Sequence, residues 1–440
     1  MKTFTLPSRS LSLDDSWDVI VAGGGPAGCS AAAAAARSGA KTLLLEATGS
    51  LGGMGTSGLV PAWCPFTDHE KIIYGGIAEK VLKTCIAGMP HVAKDHFDWT
   101  PIDAELLKRI YDDLVTGAGA VPLFNVVLAG VERTPEGDVD ALVVASKRGL
   151  TAFKAKVYID ATGDADLATW AGAEVVSGDD EGNVQAATHC FVIDNVDMYA
   201  FQHCGGVRYS PHGECIRDIV ASGKYPDITD LHACNNIVRP GAIGFNAGHL
   251  WDVDSTDPFS VSRALIKGRK IAKQFEDALA EFFPSAFANA KLSQTAPLMG
   301  IRESRRVIGD YVLDKDDYLA RRSFADEICR NCYYIDVHRK RAEGEKVESE
   351  THRYGKGESH GIPYRCLTPK GIKNLLVAGR CISTDRPVQG STRVMPVCLC
   401  TGEAAGVAAA MAAAAPANDV HAVDTAALRK TLKDNGAYLP

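Results

Sequence analysis

Gly23, Gly25 and Gly28 stand in a G-x-G-x-x-G spacing directly after the apolar run Asp18 to Ala22. That is the pattern in which bare backbone approaches a dinucleotide diphosphate. The first glycine permits the tight turn, the second leaves room for the pyrophosphate, and the third lets helix and strand pack closely. Free N–H groups at the start of the following helix, around Pro26 and Ala27, hold the diphosphate with help from the helix dipole. Lys41 to Leu45 reads as a second buried strand ending at Glu46. That acid lies about twenty residues past the glycines, where a carboxylate accepts from a ribose 2′-OH and repels a phosphate. Gly52 and Gly53 are either a plain turn or a second place where backbone reaches the diphosphate. The second reading favours FAD over NAD.

Later segments decide between them by resemblance. Tyr158 to Gly163 (YIDATG) is similar to the strand and turn that close the FAD site in glutathione-reductase-like flavoproteins, and Leu375 to Arg380 (LLVAGR) to the late strand that delivers the chain to the flavin. Ile73 to Leu82, Met299 to Tyr311, Gly361 to Thr384 and Gly390 to Ala409 resemble the FAD-dependent oxidoreductase family, distantly related to the fumarate-reductase and heterodisulfide-reductase A flavoproteins. The resemblance spans nearly the whole chain. It implies bound FAD, redox chemistry, and cofactor contacts at Val126, Ala161, Thr162, Gly163, Gly379 and Arg380. The disulfide reductases have an acid after the glycine where this chain has Arg380, so the ribityl contacts differ here.

Flavin redox chemistry needs a proton acceptor beside the hydride path and a positive field near N1/C2=O of the ring. The helix beginning near Met395 or Thr401 supplies that field through its dipole, and Arg393 just before it adds charge or holds a substrate carboxylate. Arg302, Arg305 and Arg306 crowd the segment IRESRR. Strand alternation points Arg302 and Arg306 to one face, either as ion pairs with Glu303 or as an anchor for an anionic or polyhydroxylated substrate. His189, His249, His338 and His360 are the candidate proton acceptors. His249 and His338 rank first because each ends an expected strand, and Tyr364 of the IPYR motif joins them. No second glycine fingerprint follows a strand, so a dedicated NAD(P)H domain is not expected and the electron acceptor is unidentified.

The elements that position these groups are an α/β Rossmann-like FAD domain, discontinuous over 14–182 and 368–440, and an inserted β-rich α+β substrate domain over 183–367. A helix is expected over Asp103 to Ala118, a strand or strand pair over Val121 to Val131, and a hairpin partner over Val139 to Ser146. Strands at Thr188 to Asp194 and Gly241 to His249 precede a helix over Pro258 to Phe283. Strand-like runs at Arg305 to Leu313 and Tyr333 to His338 follow, and Arg339 to Lys356 is a charged, solvated loop. Gly402, Gly406 and Ala410 place small residues on one helix face for close packing.

At 440 residues with 46% hydrophobic positions, the chain can bury one large or two ordinary cores. A net charge of −7 argues against nucleic acid and anionic membranes as partners. The alanine-rich stretches fall short of the roughly 20 strongly apolar residues of a membrane span. No apolar region follows the N-terminal charge, so a cytoplasmic location is expected. Thirteen scattered cysteines suit buried free thiols in a reducing compartment. Cys329 and Cys332 form either a redox dithiol or an ordinary loop, and no four-thiolate set calls for a metal. The leading expectation is an FAD-dependent dehydrogenase or oxidase acting on a small polar molecule. A redox-neutral FAD isomerase or hydratase, and an electron-transfer subunit docking on a partner, are the alternatives.

Overall fold

The computed structural model describes residues 3–4, 8, 10–210, 213–339 and 353–440. Strand β1 (Ser12–Ala22) buries Val19 to Ala22 and turns into helix α1 (Pro26–Arg37). Pro26 sits at the first helical position, where its missing N–H costs nothing, and six consecutive alanines favour the helix while keeping its surface flat. Strand β2 (Thr42–Leu45) returns parallel to β1, with Val19 opposite Thr42, completing a β-α-β unit. Helix α2 (Ala104–Gly117) starts at Asp103, whose carboxylate accepts from the N–H groups of Glu105 and Leu106. Strand β3 (Val121–Leu123) extends the sheet beside β2. Strands β4 (Val127–Arg133) and β5 (Val139–Ser146) form the expected hairpin, and β6 (Gly149–Asp160) runs back parallel to β1.

After the short strand β7 (Val175–Ser177) the chain builds a second layer: β8 (Phe191–Asp194), β9 (Ala233–Arg239), β10 (Ala242–Ala247) and β11 (Lys291–Thr295) in the antiparallel order β11-β8-β10-β9. Helix α3 (Pro258–Phe282) places Ile271, Phe275 and Leu279 in the same core as Phe191 and Phe245. Strand β12 (Arg305–Val307) pairs with β7, β13 (Glu327–Asn331) pairs with β14 (His360–Pro363), and β15 (Leu375–Val377) rejoins the first sheet parallel to β6. Helices α4 (Arg386–Thr392) and α5 (Met395–Ala414) follow.

Two cores result. The inserted one runs from Ala187 to Met299, whereas Val307, Leu313, Ile328 and Ile362 pack with Val19 and Val377 in the core of the first sheet. The expected boundary at 367 is therefore too late. Once β12 pairs with β7, the chain has returned to the first domain. The expected strand over Tyr333 to His338 is irregular backbone instead, with β13 ending at Asn331. Of the charged stretch after Arg339, residues 340–352 lie outside the described residues.

Helix α5 is 20 residues long and apolar enough to cross a membrane by length and composition, contrary to the expectation that this stretch is too short. Yet 89% of its most apolar window is buried inside the protein, as in a core helix. It lies against α1 so closely that a Cβ on Gly402 would sit 2.1 Å from the Ala27 carbonyl oxygen, and one on Gly406 2.2 Å from that of Ala31.

Candidate active site

The glycine turn is built as its spacing implies. Gly23 has φ +97°, and a Cβ on Gly28 would lie 1.7 Å from the Gly23 carbonyl oxygen, so α1 rests directly on the end of β1. Gly25 differs: a Cβ there would meet nothing within 4 Å. It is also the N-cap of α1 and offers no side-chain cap, which leaves the first-turn N–H groups unclaimed by any side chain. A Cβ on Gly53 would come within 3.0 Å of the Gly25 Cα, so the Gly52–Gly53 backbone borders the same opening. Glu46 accepts from Gly24 N at 2.7 Å and from Thr48 N at 2.7 Å, fixing the carboxylate beside the turn, and each oxygen keeps a further lone pair for a ribose hydroxyl. Val126 lies against it, its N–H donating to the Glu46 carbonyl at 3.2 Å.

Ala161 to Gly163 close the turn from the other side. Asp160 holds them by accepting from the N–H of Thr162 at 2.9 Å and its hydroxyl at 2.7 Å. Arg380 donates to the Gly163 carbonyl at 2.9 Å, to Asp164 at 2.6 Å and to the Ile301 carbonyl, so its guanidinium clamps the two domains together. Gly379 N donates to the Thr401 hydroxyl at 3.1 Å. The open Gly25, the uncapped start of α1 and the oriented Glu46 fit the adenosine diphosphate half of FAD.

Past Gly53, three segments converge. A Cβ on Gly55 would lie 3.2 Å from the Met395 sulfur, and Leu298 N donates to the Ser57 carbonyl at 3.2 Å. Met395 opens α5, whose N-terminus also lacks a side-chain cap. Its dipole is thus available to a negative charge where the far end of the cofactor would lie.

Beside this end stands a cluster that joins four of the sequence candidates. His249, two residues after β10, has Nδ1 3.0 Å from Asp230 Oδ2 and Nε2 2.8 Å from Nδ1 of His338. His338 Nε2 lies 3.2 Å from Asp336 Oδ1. Arg393, which ends α4, donates to the Asp336 carboxylate at 3.0 Å and to its carbonyl at 3.1 Å, while its own Nε is buried without a partner. Arg302 donates to the Ala186 carbonyl and the Thr188 hydroxyl, each at 2.7 Å, and at 3.1 Å to Asn246 Oδ1 and to His232 Nε2. Its four acceptors are neutral, although the side chain is only 7% exposed. Gln185 and Gln389 brace the group, Gln389 donating to the Arg302 carbonyl at 2.8 Å and Gln185 Oε1 accepting from His338 N at 3.2 Å.

The electrostatics follow from burial beside two guanidiniums. Burial, then Arg302 and the neighbouring rings, push His232 down to about 2. Burial and Arg302 push His338 down to about 4 against the pull of Asp336. Burial opposes the charge of Asp336, but His338 and Arg393 hold it well below the usual carboxylate range, and His249 does the same for Asp230. Burial and repulsion from Arg393 bring Arg302 down to about 10. Two positive groups thus share a buried space with neutral imidazoles, an environment that attracts an anion or a developing negative charge.

Sequence reasoning missed Asp230, His232, Asn246 and Asp336. The signal available was the Asp-x-His spacing, at Asp230 to His232 and Asp336 to His338, though the same spacing recurs at Asp419 to His421 outside the cluster. Other candidates lie elsewhere. The Tyr364 hydroxyl is buried and donates to the Val420 carbonyl at 2.8 Å, so it is a structural anchor rather than a catalytic group. His189 Nε2 meets the Ala296 carbonyl at 2.6 Å, and His360 contacts the Tyr354 hydroxyl. Arg306 pairs with Glu303 at 2.8 Å and Arg305 with Asp166, which are ion pairs, while only Arg302 enters the cluster. Strand alternation does not apply across Arg302 to Arg306, because β12 begins at Arg305. Cys329 is in strand β13, not a loop, and burial raises its thiol; it raises Cys332 as well, to about 12, which disfavours thiolate chemistry at either.

A parallel sheet whose first β-α-β turn carries this glycine pattern, with a braced acid after the second strand, defines a dinucleotide-binding flavoprotein fold. The family described as FAD dependent oxidoreductase matches residues 18–432, and the chain belongs to it. FAD is its cofactor. No curated protein matches the chain. Similar solved structures include a geranylgeranyl bacteriochlorophyll reductase-like protein from Thermoplasma acidophilum, 15% identical with TM-score 0.46, covering 97% of this chain and 85% of that one. The flavin-dependent brominase Bmp2 is 12% identical with TM-score 0.47, covering 95% and 84%. The p-nitrophenol 4-monooxygenase PnpA from Pseudomonas putida DLL-E4 is 12% identical with TM-score 0.42, covering 96% and 82%.

Proposed function

We propose that this FAD-dependent oxidoreductase is a dehydrogenase or oxidase for a small polar organic substrate, and that the substrate binds between the two domains at the histidine–arginine cluster. The observation that carries this reading is Arg302, a buried guanidinium with only neutral acceptors, placed with Arg393 and two carboxylate-backed histidines just ahead of the N-terminus of α5. When bound, the flavin supplies the hydride acceptor. Arg302 and the unpartnered Nε of Arg393 orient a polar or anionic substrate. His249 and His338 take the proton that substrate oxidation releases.

The test is anaerobic flavin bleaching of the purified holoprotein by a panel of sugars, hydroxy acids and amines. At least one class should bleach the flavin, and Arg302→Ala should abolish it. A compound converted with the flavin spectrum unchanged at the end would overturn this reading in favour of redox-neutral chemistry.

A further inference from the structure

Proton counting across His249 and His338 does not close with neutral rings. The outer nitrogens face carboxylates, Nδ1 of His249 at 3.0 Å from Asp230 and Nε2 of His338 at 3.2 Å from Asp336, while the inner nitrogens face each other at 2.8 Å. A neutral imidazole carries one N–H. If each ring gives that N–H to its carboxylate, two lone pairs confront each other at hydrogen-bond distance. If either ring turns its proton inward, a carboxylate confronts a lone pair instead. One additional proton between the rings satisfies all three contacts at once.

We propose that His249 and His338 work as a single proton acceptor, binding one proton between Nε2 of His249 and Nδ1 of His338, with Asp230 and Asp336 as positioning residues that hold the rings in register. This rests on the hydride-transfer reading above. In that reaction the electron pair of the substrate C–H bond leaves as hydride to the flavin. The electron pair of the adjacent O–H or N–H bond becomes the second bond to carbon, and the released proton passes to the histidine pair. The charged groups around the pair set its resting state. Asp230 and Asp336 favour the proton, whereas Arg302, Arg393 and burial oppose it and leave His338 neutral near pH 7. His338 is therefore open to the proton that substrate supplies.

Nitrogens of His232, His249 and His338 lie within 4.8 Å of one another, a spacing that also suits a divalent metal. Arg302 donates to His232 Nε2 at 3.1 Å, which occupies that nitrogen and favours the smaller cation, a proton, between the other two.

The experiment is an NMR pH titration of the FAD-loaded protein with 15N-labelled histidine, on wild type, His249→Asn and His338→Asn. The proposal expects the His249 and His338 ring signals to move together in one step that takes up one proton. In either variant the remaining ring should titrate at a different midpoint. Two independent steps, or a ring indifferent to its partner's replacement, would overturn it, as would stoichiometric zinc that co-purifies with wild type and is lost in both variants. A kinetic arm reads catalysis: each single variant should slow substrate bleaching about 10²–10⁴-fold, with the double variant no slower. Losses that multiply overturn the shared acceptor while leaving hydride transfer intact. Failure of every substrate to bleach wild type removes the hydride-transfer reading instead, and the titration, which needs no substrate, still decides whether the pair binds one proton.

Discussion

Gly25 and Glu46, proposed to hold the same end of the cofactor by different means, should separate as variants. Gly25 faces open space, so Gly25→Val is accommodated by the apoprotein but fills the diphosphate position. The expected outcome is a folded protein that purifies colourless and stays so when FAD is added. Glu46→Ala removes one or two hydrogen bonds to the ribose, about 1.5–3 kcal/mol for bonds to a charged group, and also frees Gly24 N and Thr48 N. Weaker FAD binding by fluorescence titration, together with a lower melting temperature, is expected. Unchanged FAD affinity would contradict the assignment. At this scale the turn after β1 was legible because glycine spacing records where backbone must come close. The cluster was only half legible. His249 and His338 are 89 residues apart, and nothing local announces that their rings meet. Tyr364 shows the converse, a polar side chain in a recognisable motif whose hydroxyl serves packing.

Among the elements, the contact of α1 with α5 sets the geometry of the whole cofactor end. Gly402→Val puts two methyl groups and a Cβ where the Ala27 carbonyl stands, so α5 cannot seat and flavin binding should fail along with folding, as read by insoluble expression or loss of cooperative melting. Soluble, yellow Gly402→Val protein would mean that this contact is looser than described. The inserted unit has an antiparallel sheet, and among the described residues only one β-α-β unit carries a glycine fingerprint. Micromolar NADH or NADPH should therefore leave the flavin oxidised under anaerobic conditions, and rapid bleaching would contradict this. Elements with a periodic pattern and a cap were readable: α2 begins after the Asp103 cap, and α3 runs Pro258–Phe282 behind Asp257. Tyr333 to His338 has the apolar and aromatic content of a strand but no partner strand beside it. A neighbour that arrives from elsewhere in the chain cannot be read from the segment itself.

For the molecule as a whole, buried neutral histidines couple folding to pH. His338, His360 and His232 are pushed by burial to about 4, about 3 and about 2, from an ordinary value of 6.5. In the unfolded chain they take up protons near that ordinary value, so their contribution is fully present above it and is lost as pH falls from 6.5 towards 4. Glu403 and Asp166, raised by burial to about 7 and about 6, act in the opposite sense as pH rises through the ordinary carboxylate range. The histidine share is read by difference: between pH 6.5 and 5 the melting temperature of His360→Gln should fall less than that of wild type. The same pH dependence in wild type and His360→Gln would contradict the burial described for His360. The proposed placement of the substrate cluster beside a cofactor that would run from Gly25 towards Met395 leads to one decisive measurement: a crystal structure of the FAD-loaded protein. The account predicts the isoalloxazine ring beside the N-terminus of α5, with a side chain of Arg302, Arg393, His249 or His338 in contact at about 4 Å. A ring turned away, with all four side chains beyond contact distance, would contradict it.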